Sequence, residues 1–423
     1  FVSLLRELIG EAKHLQNGPP DLIPTEDRAA RHVLRALQPF SKEAGGPLSV
    51  RHVSYVEGRG NVIVEYPGTD STAGAVSFVG CHLDVVPANP KTWKRDPFSL
   101  TVEGDELHGR GTTDCLGHVA LLTQLFVSLG RQKPALKRTV YGVFIANEEN
   151  SRVLGIGVDE LVRRGEMEAM RKGPLFWVDV ADRKPCVGTG GCNAWTLRAT
   201  GKLFHSGIPQ AAINPIELAS EALSVLQRRF YEDFPAHEME RVYGFKSPST
   251  MKPTQVSFPG GSVNQIPGEC TICGDVRVTP FYDIREVMRK VDSYVAELAA
   301  GKFRSLPTRG PVSKYELPEE GLVGGLELTW GEPAPGLACD LQSEGYKKMI
   351  GAFEAVMGEP CVPMAITGTL PCIRDLQDAG YDVQTMGFGL MKTYHANDEH
   401  CLLSDFKVGF RVMRTLVDMM DEA

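Results

Sequence analysis

A histidine and an aspartate two residues apart, His82 and Asp84, offer the first chemistry in this sequence. They follow the apolar, β-branched run Ala75-Val76-Ser77-Phe78-Val79-Gly80 and precede Pro87 and Pro90. That places them where a buried strand gives way to a loop. Residues two apart on an extended chain point the same way, so the two side chains can touch. A metal-bound imidazole needs its second ring nitrogen held, and a carboxylate is a common holder. Taken alone, His82 also fits a buried histidine satisfied by chance neighbours. Asp114 heads an amphipathic run with Val119, Leu122, Leu125 and Phe126, either as a helix cap or as a carboxylate with work to do. Glu148 and Glu149 leave the apolar strand Arg138 to Ala146, where a solvated loop is the bland alternative, and Asp179 leaves the strand starting at Pro174. Neutral His and ionised Asp and Glu suit zinc, manganese or cobalt. Paired metals need one carboxylate to bridge them and a separate base to act on water.

The elements that must position these residues alternate. Apolar strands exit onto His82/Asp84, Glu148/Glu149 and Asp179, with helical patterns between them, including one expected around Asp159 to Arg171. Such alternation is the sequence form of a sheet covered by helices, an α/β fold. Two further amphipathic helices precede it, near residues 1–13 and 27–38. Val187-Gly188-Thr189-Gly190-Gly191 reads as a hinge. Beyond it the order becomes β-α-β-β-α with room for one more strand, which resembles a ferredoxin-like domain. After about Gly310 the α/β character returns. The expected organisation is a catalytic domain in two parts, 1–190 and 309–423, with an inserted α+β lid and dimerisation domain at 191–308. Gly109 to Gly117 is glycine-rich, but the phosphate-loop spacing and its lysine are absent.

The whole chain has 423 residues, too many for one ordinary core. Its 42% hydrophobic and 23% charged content is that of a soluble globular protein. A net charge of −8 gives no reason to expect nucleic acid or an anionic membrane as partner. No apolar stretch is long enough to span a bilayer. The ten cysteines are scattered, and Cys270 and Cys273 fall on opposite faces of an alternating strand, where they cannot easily grip one metal. They are read as reduced and the protein as cytoplasmic. The chain opens Phe1-Val2-Ser3 without Met, so the numbering is expected to start inside a longer natural chain, with organelle import open.

Cys81-His82-Leu83-Asp84-Val85-Val86-Pro87, the loop with Asp114, Glu148-Glu149, Phe204-His205-Ser206-Gly207 and Tyr394-His395-Ala396-Asn397-Asp398-Glu399 occur in that order. Together they resemble the dizinc amidohydrolase family of acetylornithine deacetylase, succinyl-diaminopimelate desuccinylase, aminoacylase and carnosinase, over nearly the whole chain. Gly190-Gly191, Met251-Lys252-Pro253-Thr254, Asn264 to Cys270 and Thr367-Gly368-Thr369-Leu370-Pro371 look like its plant and protist acetylornithine deacetylase-like branch. The resemblance implies that His82 and Asp179 hold one metal, Glu149 and His395 the other, and that Asp114 bridges them while Asp84 orients His82. It implies Glu148 as general base, and His205, Asn264, Arg277 and Arg374 as residues meeting substrate, with His205 supplied by the neighbour in a homodimer. Two departures stand out: the first-metal carboxylate is Asp179 where Glu is common, with Asp182 as a competing candidate, and Leu116 stands where many members have Lys.

The implied cofactors are two divalent ions, zinc first, with cobalt or manganese as alternatives. The implied reaction is hydrolysis of an N-acyl amino acid, N-acetylornithine to ornithine and acetate, in arginine biosynthesis. Arg277 suits a substrate carboxylate, although a strand-surface ion pair would also explain it. A metallo-dipeptidase, carboxypeptidase or aminoacylase of the same family is the alternative.

Overall fold

The computed structural model describes residues 1–312 and 314–422, which form two compact units. The first comprises Phe1–Val187, Cys339–Met364 and Pro371–Ala423; the second comprises Gly188–Ala338 and Ala365–Leu370.

The first unit is built on a mixed sheet. Its strands are β1 (Ser49–Ser54), β2 (Gly60–Tyr66), β3 (Ala75–His82), β4 (Thr139–Ile145), β5 (Pro174–Val178), β6 (Lys184–Thr189) and β7 (Asp382–Gly387). They lie in the order β1-β2-β4-β3-β5-β7-β6. The central run β4-β3-β5-β7 is parallel, and both flanks are antiparallel. Every residue of β3 and β5 is buried. This is why those segments read as continuous apolar runs rather than alternating ones. Helices α1 (Val2–Glu11), α2 (Asp27–Leu37), α3 (Leu116–Gln132), α4 (Glu344–Met357) and α5 (Leu403–Asp421) share one apolar core with the sheet.

Parallel neighbours end at the same edge of a sheet. Strands β4, β3 and β5 are adjacent, so the residues just past them, Glu148–Glu149, His82–Asp84 and Asp179, emerge side by side about 5 Å apart per strand. The register of β3 against β4 slips between Phe78 and Cys81. Gly80 has φ +95° there, and any β-carbon would run into the Trp177 ring. Such a bulge re-aims the side chains that follow it, here His82.

The second unit follows a β-α-β-β-α-β order: Gly191–Thr200, Pro215–Asp233, Thr250–Ser257, Glu269–Val278, Ile284–Ala300 and Gly325–Trp330. Its strands are all antiparallel, with 269–278 and 191–200 central and 250–257 and 325–330 at the edges. Alternating burial along 191–200 and 269–278 points one face of the sheet at the two helices, which close a core of their own. Cys270 is buried on that face and Cys273 is on the other.

Two sequence expectations need correction. The chain returns to the first unit at Cys339 rather than 309, because Gly325–Trp330 pairs with Trp195–Thr200 as the edge strand of the second unit's sheet. The helix expected from Asp159 to Arg171 is an α-helix only over Val158–Arg163; Gly165, at φ +76°, turns the chain before a short 3-10 segment at Glu168–Lys172.

Candidate metal centre

Asp114 sits at the centre of the site. The N-cap of α3 is Cys115, with no side-chain capping bond, so the Asp114 carboxylate is not used as a cap. It faces two histidines instead: Oδ1 lies 2.9 Å from His82 Nε2 and Oδ2 lies 2.9 Å from His395 Nε2. His395 Nε2 is also 3.3 Å from Glu149 Oε2. On the other side, His82 Nε2 is 3.8 Å from both Asp179 Oδ1 and Glu148 Oε2. His82, Asp114 and Glu149 can bring one ligand atom each within 4.8 Å of one another, as can His82, Cys115 and Asp179.

The charge balance of this cluster fits cations. Asp114, Glu148 and Asp179 are buried, Glu149 nearly so, and among the described residues their only cationic partners are the two imidazoles. Burial first, then the charges of Asp114 and Glu149, push Asp179 up to about 8. Burial and the Asp114 charge push Glu149 up to about 7. Glu148 is raised well above the carboxylate range, mainly by burial. Asp114 is held low, against burial, by hydrogen bonds from His395 and His82. Hydrogen bonds to Asp114 and Glu149 lift His395 to about 10. Against burial, which favours the neutral ring, the carboxylates around His82 raise it well above its usual value. A shell of oxygen and imidazole donors short of positive charge suits divalent metals, and a carboxylate whose two oxygens address two separate histidines has the form of a bridge.

Each donor is held by residues behind it. His82 Nδ1 lies 2.9 Å from the Asp84 carbonyl and 3.3 Å from its Oδ1, so this face of the ring meets both groups of Asp84. The Asp84 carboxylate also accepts the backbone N–H groups of Glu148 and Glu149, each at 3.1 Å. Asp179 accepts from the Tyr394 hydroxyl at 3.3 Å, while the neighbouring Cys115 thiol is turned to the Gly80 and Val178 carbonyls. Asp182, its competitor from sequence, points elsewhere: its carboxylate accepts the Met391 N–H at 3.0 Å. Glu399 is fully buried and accepts N–H groups from Gly111, Thr113 and Asp114 at 2.8–3.0 Å and Arg110 Nη1 at 2.7 Å. It thereby ties the loop carrying Asp114 to the segment carrying His395, whose own φ of +54° is a strained value for a non-glycine residue.

Residue type and spacing assign no role to Glu399, Tyr394 or Cys115. Their signal was adjacency to, or membership of, a ligand-bearing stretch.

Of the remaining expected residues, His205, Asn264 and Arg277 are carried by the second unit and Arg374 by the first. In the second unit, Phe204–His205 pairs with Gln265–Ile266, and the Ser206 N–H donates to the Asn264 carbonyl at 2.9 Å, so His205 and Asn264 are brought together. The His205 ring is exposed, and its Nδ1 accepts the Gly207 N–H at 2.9 Å. Arg277 is paired with Asp275 on the same strand at 2.8 Å. Arg374, in the first unit, is half-exposed and paired with Asp378 one turn on at 2.9 Å.

Comparison with known proteins identifies the lineage. The pattern of peptidase family M20/M25/M40 matches residues 78–419. The chain belongs to that family. It is a hydrolase. It is 57% identical to the acetylornithine deacetylase of Arabidopsis thaliana, across 100% of this chain and 96% of that protein. It is 49% identical to the acetylornithine deacetylase of Dictyostelium discoideum, across 100% and 97%. Among solved structures, human carnosine dipeptidase 1 superposes with a TM-score of 0.66 at 15% identity, over 100% of this chain and 96% of that one. A dinuclear metal-binding M20 peptidase from Bacillus subtilis superposes with a TM-score of 0.62 at 16% identity, over 100% and 98%. At such identities these structures bear on the fold alone. No helix among the described residues is long and apolar enough to cross a membrane.

Proposed function

We propose that this protein hydrolyses the amide of N-acetylornithine, giving acetate and ornithine. The observation that carries this reading is end-to-end identity of 57% and 49% with two acetylornithine deacetylases, in a chain whose buried His/Asp/Glu cluster is intact. His82 and Asp179 would hold one divalent ion, Glu149 and His395 the other, and Asp114 would lie between them. Zinc suits this donor set, as do cobalt and manganese. When bound, the two ions supply an acidified water and a Lewis acid for the amide carbonyl.

The chain's own residues do the rest. Glu148 is the carboxylate left over once the ligands are assigned, and it stands on the same turn as Glu149. It takes a proton from the attacking water and later delivers one to the departing nitrogen of ornithine. Donors aimed at the carbonyl oxygen stabilise the charge that develops there, and His205 is the donor proposed. In this chain its ring is solvent-facing, with Nδ1 taken by the Gly207 N–H of its own turn, and Nε2 would be the atom that serves a neighbouring subunit in a homodimer. Arg277, with Asn264 and Arg374 as further contacts, would hold the substrate α-carboxylate by exchanging its Asp275 partner for the ligand.

The test is turnover by zinc- or cobalt-loaded enzyme across a panel of N-acyl amino acids and dipeptides. N-acetylornithine is expected to be hydrolysed, with a free α-carboxylate required. Efficient dipeptide cleavage without activity on N-acetylornithine would replace this reading with the dipeptidase one.

A further inference from the structure

Behind the Glu148–Glu149 turn lies a buried ion pair that the proposed chemistry does not use. Glu26 is fully buried and Arg59 nearly so. The guanidinium grips the carboxylate twice, Nε to Oε2 at 2.6 Å and Nη2 to Oε1 at 2.5 Å. A buried pair of this kind seldom stabilises a fold more than apolar residues of the same size would. Its reach supplies another role. Glu26 Oε1 also accepts the N–H of Asn147 at 3.2 Å, and Arg59 Nη2 also donates to Asn147 Oδ1 at 3.1 Å. Asn147 immediately precedes Glu148 and holds φ at +62°, in the left-handed region. Its Nδ2 donates to the Val153 carbonyl at 2.7 Å, and its Oδ1 takes a second bond, 3.1 Å, from Asn17 Nδ2. Asn17 donates as well to Asp84 Oδ2 at 2.8 Å. That is the carboxylate which accepts the Glu148 and Glu149 N–H groups and faces His82.

We infer that Glu26, Arg59, Asn17 and Asn147 are positioning residues: together they clamp residues 147–149 and Asp84 in one arrangement, and so set where Glu148 and Glu149 stand relative to His82. The inference rests on the reading of Glu148 as base and Glu149 as ligand. A non-glycine residue keeps a left-handed conformation only when its surroundings over-determine it. Here the Asn147 side-chain oxygen and nitrogen, and its N–H, are committed to that end. Releasing them lets the turn relax, and a misplacement of about 1 Å at reacting groups costs on the order of 100-fold in rate.

The experiment replaces both charges at once, Glu26→Met with Arg59→Met, in the zinc-loaded full chain. Removing the pair together leaves no unpaired charge behind, so the fold is expected to survive with a melting temperature near that of the wild type. The expected result is a kcat at least about tenfold lower with KM little changed, and zinc affinity lowered by about tenfold at one of the two sites, read by competition with a chromophoric chelator. A kcat and two zinc affinities all within about a factor of two of wild type, in folded protein, would overturn the inference. So would a rate loss that only tracks a lost folded fraction. If the double variant does not fold, Asn147→Gly decides by the same criteria, since glycine keeps the backbone angle and loses only the side-chain bonds. Zinc affinity is read without substrate, so it decides the positioning role even if N-acetylornithine proves not to be the substrate; the rate is then measured on whichever N-acyl amino acid the wild type hydrolyses.

Discussion

Glu399 tests whether the site depends on the loop that carries Asp114. Its two oxygens accept three backbone N–H groups and one Arg110 nitrogen, and both side chains are out of solvent. In Glu399→Gln one oxygen becomes an NH2 group and meets donors it cannot serve. Breaking a buried pair by removing one partner costs roughly 3–5 kcal/mol. For a unit of this size that corresponds to a fall of about 10 °C in Tm. The loop's hold on Asp114 loosens too, and losing such outer support weakens metal binding by about 10–100-fold. Zinc at 100 times the wild-type Kd stabilises the wild type by about 2.7 kcal/mol per site. The variant, with Kd raised 10–100-fold, gains only about 0.4–1.4 kcal/mol by the same relation. The two proteins should therefore differ more with zinc present than without it. Calorimetric melts of both, metal-free and zinc-loaded, measure this directly. A Tm drop below about 2 °C, with the same gap in both conditions, would refute the argument that Glu399 pins the Asp114 loop.

Glu148→Gln should keep both metals and lose about 10²–10⁴-fold in kcat, whereas Glu149→Gln should lose metal; metal analysis beside turnover separates them. Arg277→Ala should raise KM sharply, with kcat falling as well if the anchored carboxylate aligns the amide, as steady-state kinetics would report. Mixing inactive His205→Ala and Glu148→Ala subunits should restore roughly a quarter of wild-type activity if His205 serves its neighbour, since half the dimers carry one intact site; a dead mixture with proven subunit exchange argues against it. His118 is fully buried, and burial lowers its pKa to about 4. Its Nε2 accepts the Phe388 N–H at 2.9 Å, which requires the neutral ring. Between about pH 6.5 and 4 the unfolded chain binds the extra proton, so stability is full above that window and falls by about 1.4 kcal/mol per unit on acidification. His118→Gln should show a shallower loss in urea melts between pH 7 and 5.

The strand exits were legible because each is a local signal. A buried apolar run that stops at a polar residue marks the end of a parallel strand, and three such strands lie side by side as β4, β3 and β5. The ferredoxin-like order of the second unit was legible for the same reason, through the alternation of 269–278. Its true end was not, because Gly325–Trp330 is recognisable as part of that sheet only by pairing with 195–200. The clamp behind Glu148 left no local trace either: Glu26 and Asn147 are 121 residues apart, and nothing around Glu26 or Arg59 distinguishes them from surface charges.

The choice between Asp179 and Asp182 shows where a sequence argument must stop. Both follow β5, and both are carboxylates of the same length. Period-two logic would put residues three apart on opposite faces, but it holds only while the chain stays extended. The backbone is left-handed at Asp182 and Arg183, with φ of +64° and +54°, so alternation no longer says where a side chain points. What separates them is contact with distant parts of the chain. The Asp179 N–H is tied to the Met386 carbonyl of β7 at 3.1 Å, and its carboxylate is met by Tyr394 from the far end of the sequence. Asp182 instead spends its N–H on Gly389 and its carboxylate on Met391. Residue type and spacing bring both candidates to the same edge of the sheet; hydrogen bonds spanning some 200 residues turn one toward His82 and the other toward the 389–391 loop.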